Sequence, residues 1–347
     1  MKLIAFIVAM TALLCAETKL QPKGTVQRIK VHGKSLEGNL EGDSPDRDVT
    51  IYLPPGYDGH RNQRYPVMYL LHGYLLTDQY WTGAGLSAPG LNMPGVDLPA
   101  AMDKLVARGE AKPMIVVMPN AYSKYAGSMY SSSVTTGDWE SFIAEDLVAY
   151  IDSHYRTIPE RLSRGLAGHS MGGYGAIRIG MKRPDVFSSL YIMSACCLIN
   201  NPLPAPPANS NQNSSKGGGA GPLQINFAWS AAFSPDPKNP PSYFDEPMKD
   251  GQTQPLVIAK WHAASPLAMI DQYVMNLRKY HAIMADVGLQ DGLAGQNKQL
   301  DQIMTDFGIK HGFETYEGEH ANKIPERIES KVLPFFSANL SMKKASR

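Results

Sequence analysis

Cysteine is nearly missing from this chain: three residues in 347, at Cys15, Cys196 and Cys197. That leaves no basis for a disulfide framework, and the adjacent Cys196 and Cys197, in an apolar run, read as two buried thiols rather than a disulfide or a metal site. Charge of one sign is missing as well. Lys and Arg number 33 against 32 Asp and Glu, for a net charge of +1. With no block of like charges, nothing points to nucleic acid or a membrane surface as partner, and Lys343-Lys344 reads as a solvated tail. No internal repeat is visible, and no long apolar run follows the first sixteen residues. What remains is 43% hydrophobic, enough to bury a full core.

The N-terminus carries an address. Lys2 precedes the apolar run from Leu3 to Met10, continued by Leu13, Leu14, Cys15 and Ala16, and polar sequence begins at Glu17. This pattern resembles a secretory signal peptide over residues 1–16, too short and wrongly flanked for a stable membrane span. It implies a secreted or periplasmic protein. A lipid anchor at Cys15 is the lesser alternative, because Leu14 is bulkier than such a cleavage site favours.

From residue 17 to 347 the expectation is one α/β domain. Strand-length apolar runs at Val49–Leu53, Tyr65–Leu71, Met114–Met118, Ser189–Met193, His281–Ala285 and Phe313–Tyr316 alternate with helical segments at Val96–Arg108, Trp139–Tyr155, Met269–Lys279, Gln296–Phe307 and beyond Ile324. That alternation predicts a mostly parallel central sheet covered by helices on both faces. Reactive groups in such sheets gather at the carboxyl ends of strands. Residues 200–251 break the rhythm with Pro, Gly, Ser and Asn, which exclude a regular core element, yet they hold Phe227, Trp229, Phe233, Tyr243 and Phe244. The segment is either a surface insertion or a cap lining a cleft.

Gly168-His169-Ser170-Met171-Gly172 matches Gly-x-Ser-x-Gly between a buried strand and a close-packed helix, placing Ser170 at the apex of a strained turn. A serine hydroxyl is a poor nucleophile and needs a base within hydrogen-bond reach, oriented by a third group. In this architecture the acid and then the histidine follow the nucleophile in the chain. His320, on the loop after the last strand, fits the base, whereas His169 is expected to leave the turn in another direction. Asp291 is the preferred acid, on the loop entering a helix, with Asp286 as alternative nearer the strand. Two main-chain donors must face the oxyanion. Met171, after the nucleophile, supplies one amide; Tyr74, after His72-Gly73, supplies the other, with Leu75 one residue away. Leu75, Trp81, Trp139 and Trp229 are candidates to contact substrate.

These motifs, with Leu70-Leu71-His72-Gly73, Gly288-Leu289-Gln290-Asp291 and Gly318-Glu319-His320, resemble the esterase D-like branch of the α/β-hydrolases over about Val49 to Phe336. That branch includes feruloyl esterases, acetyl esterases, S-formylglutathione hydrolases and mycolyltransferases. The resemblance implies an α/β-hydrolase fold, the triad Ser170, Asp291 and His320, and no metal or organic cofactor. It implies hydrolysis of a small-molecule or polysaccharide-linked ester, feruloyl or short-chain acyl. Export argues against a cytosolic thioester substrate. Acyl transfer to a sugar hydroxyl, or a non-catalytic carbohydrate-binding module on the same fold, are the competing expectations.

Overall fold

Side-chain alternation along short apolar strands decides the architecture. Val67, Tyr69 and Leu71 join one buried cluster while Met68 and Leu70 join another, and Leu190 and Ile192 are divided from Tyr191 and Met193 in the same way. A period of two with both faces apolar requires cover on both sides. In the computed structural model, which describes residues 22–83, 93–201 and 222–343, that cover is helical. The expected signal peptide over residues 1–16, with Cys15, lies outside the described residues, as do residues 202–221 of the Pro/Gly-rich insertion.

Among the described residues eight strands form the central sheet: β1 (Thr25–His32), β2 (Asp46–Leu53), β3 (Val67–Leu71), β4 (Ile115–Pro119), β5 (Arg164–His169), β6 (Ser189–Met193), β7 (Ala282–Gly288) and β8 (Gly312–Tyr316). Their spatial order is β1-β2-β4-β3-β5-β6-β7-β8. β1 runs antiparallel to β2 and β2 to β4, and every other pairing is parallel. On one face lie α2 (residues 139–154, with a π stretch at Phe142–Asp146), α3 (Met171–Lys182) and α6 (Ala294–Asp306); on the other lie α1 (Leu98–Ala107) and α7 (residues 324–339). Trp139, Phe142, Leu147 and Ile151 of α2 are essentially fully buried. Side chains of this size contribute about 1.5–3 kcal/mol each when withdrawn from water.

The α/β-hydrolase architecture is the expected one, with three departures. A helix, α4 (Pro222–Phe233), stands inside the insertion where no regular core element was expected. Its Ala228, Trp229, Ala231, Ala232 and Phe233 are buried. The reason is tertiary: the mostly apolar stretch from Ile225 to Phe233 gains enough buried surface to be helical. After α5 (Pro255–Ala263), the single helix expected over Met269–Lys279 is three short pieces, Pro266–Met269, Ile270–Tyr273 and Val274–Leu277. Finally, β1 is a strand without an apolar run: as an edge it buries Val31 alone and is held by pairing to β2.

The carboxyl ends of β5, β6, β7 and β8 lie side by side, with His169 opposite Met193 and Gly288 opposite Tyr316. Helix α3 must leave β5 immediately and cross the sheet at close range. A Cβ on Gly168 would stand 2.2 Å from the Gly172 oxygen, and one on Gly172 would stand 2.1 Å from the Leu71 oxygen. Only glycine permits this crossing, and it fixes where Ser170 is presented.

Candidate active site

Ser170 is the residue before α3, with φ 58° and ψ −115°. A non-glycine residue held there stores on the order of 1–3 kcal/mol, so the surroundings must impose the conformation. They do so through the Ser170 main chain: its amide donates to the Met193 carbonyl at 3.0 Å, and its carbonyl accepts from Tyr174 (3.0 Å) and Cys196 (3.2 Å). The hydroxyl is thereby raised off the sheet's carboxyl edge.

His320 stands on the loop between β8 and α7. Its Nε2 lies 2.9 Å from Ser170 Oγ and its Nδ1 lies 2.9 Å from Asp291 Oδ2. The Asp291 side chain is 1% exposed and that of His320 is 37% exposed, so the carboxylate is sealed behind the ring while the ring reaches solvent. Burial alone would raise the Asp291 carboxyl; the His320 ring and the Leu293 amide, donating to Oδ1 at 2.8 Å, outweigh burial and hold it below the usual carboxylate range. An ionised Asp291 makes His320 Nδ1 the donor, leaving Nε2 to accept from the serine.

Asp286 has a different engagement. Its fully buried carboxylate accepts from Arg327 Nε at 2.9 Å and Nη2 at 2.7 Å and from the Tyr191 hydroxyl at 2.8 Å. It faces the α7 side of the sheet and leaves the alternative unfilled, because a strand residue's side chain is committed to a face while a loop residue's can reach the rim.

The amides of Tyr74 and Met171 have no acceptor among the described residues, and Met171 is the first residue of α3, where the helix dipole adds positive potential. Gly73 lies against Ser170: a Cβ there would be 3.4 Å from Ser170 Cβ. The Leu75 amide donates to Ala126 O at 3.0 Å and is spent.

A cavity of about 380 Å³ opens beside Ser170 and His320. Ile199, Ile225, Trp229 and Leu293 form its apolar wall, with Gln296 and Asn201 as polar members. Of the candidate substrate contacts, Trp229 is the one on this wall, brought there by α4. Trp81 and Trp139 correct the expectation. Trp81 is fully buried against Tyr80, and Trp139 is buried beneath the Arg47 guanidinium with its Nε1 donating to Thr136 O at 2.8 Å. Each ring lies in the core because apolar area outweighed its polar edge. Leu75 is absent from the wall too.

Three supporting residues were not anticipated. His169 turns toward the site, donating from Nε2 to the His320 carbonyl at 2.8 Å. Asn297 on α6 clamps the loop after β6, accepting from Ala195 N at 3.0 Å and donating to Ala195 O at 2.9 Å. His72 is fully buried and is taken up below. Cys196, half-buried, and Cys197, buried, are free thiols that line the cavity. Among the described residues no group of three or more His, Cys, Asp or Glu side chains could hold a metal ion, and no helix is long and apolar enough to cross a membrane.

The family described as "Putative esterase" matches residues 44–324. The chain is 31% identical over 176 residues to an endo-1,4-beta-xylanase/feruloyl esterase of Xylanibacter ruminicola, covering 49% of this chain and 22% of that protein. It is 32% identical over 142 residues to an esterase of Mycobacterium tuberculosis, covering 41% and 27%. The chain therefore spans only about a quarter of the length of these relatives. Among solved structures, a ferulic acid esterase superposes with a TM-score of 0.64 at 24% identity, over 92% of this chain and all of that one. An S-formylglutathione hydrolase from Agrobacterium tumefaciens superposes with a TM-score of 0.57 at 14% identity, over 92% and 96%. Both likenesses are of fold.

Proposed function

From the premise that the chain belongs to this esterase family, matched over residues 44–324, we propose that it hydrolyses carboxylic esters by way of an acyl-enzyme on Ser170. The observation that carries this reading is the continuous pair of 2.9 Å contacts from Asp291 through His320 to Ser170, ending at the mouth of a cavity.

His320 Nε2 takes the Ser170 proton as Oγ attacks the ester carbonyl carbon. Charge develops on the carbonyl oxygen, where the Tyr74 and Met171 amides receive it; one such donor is worth roughly 10²–10³-fold in kcat. The imidazolium, stabilised by Asp291, then protonates the departing alcohol. Water enters, loses its proton to the same nitrogen, and releases the acid from Ser170. Asp291 keeps the ring in the tautomer this cycle needs.

The apolar wall beside Ser170 supports a hydroxycinnamoyl or short-chain acyl group, with the Trp229 ring as an aromatic surface for the former. A ferulic acid esterase and a xylanase/feruloyl esterase among the similar proteins favour the same substrate class, and the leader-like residues 1–16 favour an exported enzyme. Steady-state hydrolysis of p-nitrophenyl esters from acetate to octanoate, beside methyl ferulate, tests the reading. Turnover of at least one, abolished in Ser170→Ala, is expected; turnover surviving that substitution contradicts it.

A further inference from the structure

His72 is wholly buried, lies between the strand that ends at Leu71 and the loop carrying Tyr74, and has no part in the proton transfers above. Both of its ring nitrogens are engaged. Nε2 faces the main-chain amide of Ala121 at 2.8 Å, and because an amide N–H only donates, Nε2 is the acceptor and carries no proton. The proton of the neutral ring is therefore on Nδ1, which donates to the Gly73 carbonyl at 2.8 Å. Burial, then Arg47, depresses the ring's ionisation to about 4, so this tautomer persists through neutral pH. The Leu76 amide adds a second donor to the same carbonyl at 3.2 Å, and the Tyr130 hydroxyl holds the His72 carbonyl at 3.2 Å.

Gly73 C=O and Tyr74 N–H belong to one peptide unit. In a planar trans peptide the two bonds point in opposite directions, so whatever grips the oxygen aims the hydrogen. Turning that unit changes ψ at residue 73 and φ at residue 74; glycine leaves ψ at 73 unrestricted, so on that side the unit is held by its hydrogen bonds alone. The position immediately after, Leu75, has φ 69° and is tied to Ala126, which fixes the far side of Tyr74 but not the near peptide.

We propose that His72 is a positioning residue for ester hydrolysis: its Nδ1–H, with the tautomer set by Ala121, locks the Gly73–Tyr74 peptide so that the Tyr74 amide faces the oxyanion formed at Ser170. The inference rests on the assignment of Ser170 as nucleophile and the Tyr74 amide as oxyanion donor. Without His72 only the longer Leu76 contact at 3.2 Å holds the Gly73 carbonyl, so the peptide turns in part of the population and takes the donor away from the oxyanion. The ground-state ester, whose carbonyl oxygen carries little charge, is bound nearly as before.

The test compares His72→Asn, whose side-chain amide can take the place of the Nδ1 donor, with His72→Gln and His72→Leu, which cannot. The expected result is a loss in kcat of about 10- to 100-fold for Leu and Gln, bounded by the value of one oxyanion donor. KM should change little and Asn should recover most of the rate. Affinity for a trifluoromethyl ketone, which forms a hemiketal oxyanion on the serine, should fall in parallel with kcat/KM, while inhibition by the product acid is unchanged. Should the Leu variant fail to fold, the Asn and Gln pair carries the comparison, with circular dichroism verifying each fold. Equal losses in folded Asn and Gln, a rise in KM alone, or unaltered ketone affinity would overturn the proposal. If the wild-type enzyme itself binds no ketone and takes no fluorophosphonate on Ser170, the underlying active-site assignment fails instead.

Discussion

His169 Nε2 donates to the main-chain carbonyl of His320 at 2.8 Å, and the two rings pack with centroids 4.7 Å apart. The residue beside Ser170 thus holds the backbone of His320, which faces Ser170 from 150 positions away. Burial, then the nearness of His320, lowers the His169 ionisation to about 3, so it acts as a neutral strut. Replacement by Leu is expected to lower kcat about 10-fold with KM nearly constant, because the loss of one hydrogen bond of ordinary worth lets the His320 loop drift. His169→Gln, which keeps a donor, should lie between. Steady-state kinetics on the better p-nitrophenyl ester decides it.

Asp291 and Asp286 are expected to separate activity from stability. Asp291→Asn leaves the fold intact and lowers kcat on the order of 10³- to 10⁴-fold by favouring the wrong tautomer of His320. Asp286→Asn instead weakens the buried pairing with Arg327, with a cost of about 3 kcal/mol in urea unfolding. Rates and unfolding midpoints measured on both variants provide the check.

His72 and His169 make stability acid-sensitive. Their folded-state values, about 4 and about 3, lie below the ordinary histidine value, so the unfolded chain binds more protons in the interval between. Stability is unaffected by these groups above about pH 6.5 and falls as pH drops through that value toward 4, by roughly 1.4 kcal/mol per pH unit for each. Urea midpoints at pH 7, 6, 5 and 4.5 should follow this slope, and a folded His72→Asn variant should flatten it.

Glu41 carries the opposite sign. Burial, reinforced by Asp43, pushes its carboxyl up to about 8. The folded state keeps the proton that the unfolded chain releases above about pH 4.3, so this group costs stability between those values. Glu41→Gln is expected to raise stability at pH 7 by about 1–2 kcal/mol and to have no effect near pH 4. Thermal unfolding at the two pH values tests the difference.

Much of this arrangement was legible in the chain. Strand positions with both neighbours apolar, such as Tyr69 and Leu70, announce a covered sheet. Gly168 and Gly172 around Ser170 announce a turn too tight for side chains. His320 and Asp291 were reachable from chain order along strand ends, a one-dimensional property. The fates of Trp81 and Trp139 were not: a tryptophan reads the same whether its ring lies in a cleft or in the core. His169 and His72 escaped because their partners are main-chain carbonyls and amides, which every residue possesses and no pattern marks. Helix α4 escaped because its register depends on the surface it covers, and its own residues are apolar nearly throughout.

The central claim is that Ser170 Oγ is made nucleophilic by His320 within an intact site. Intact-protein mass spectrometry after treatment with a fluorophosphonate measures this most directly. The account predicts one phosphonyl group per chain, located on Ser170 by peptide mapping, with labelling abolished in Ser170→Ala and slowed at least 100-fold in His320→Ala. Labelling that maps to another residue, or that proceeds at the wild-type rate without His320, would contradict it.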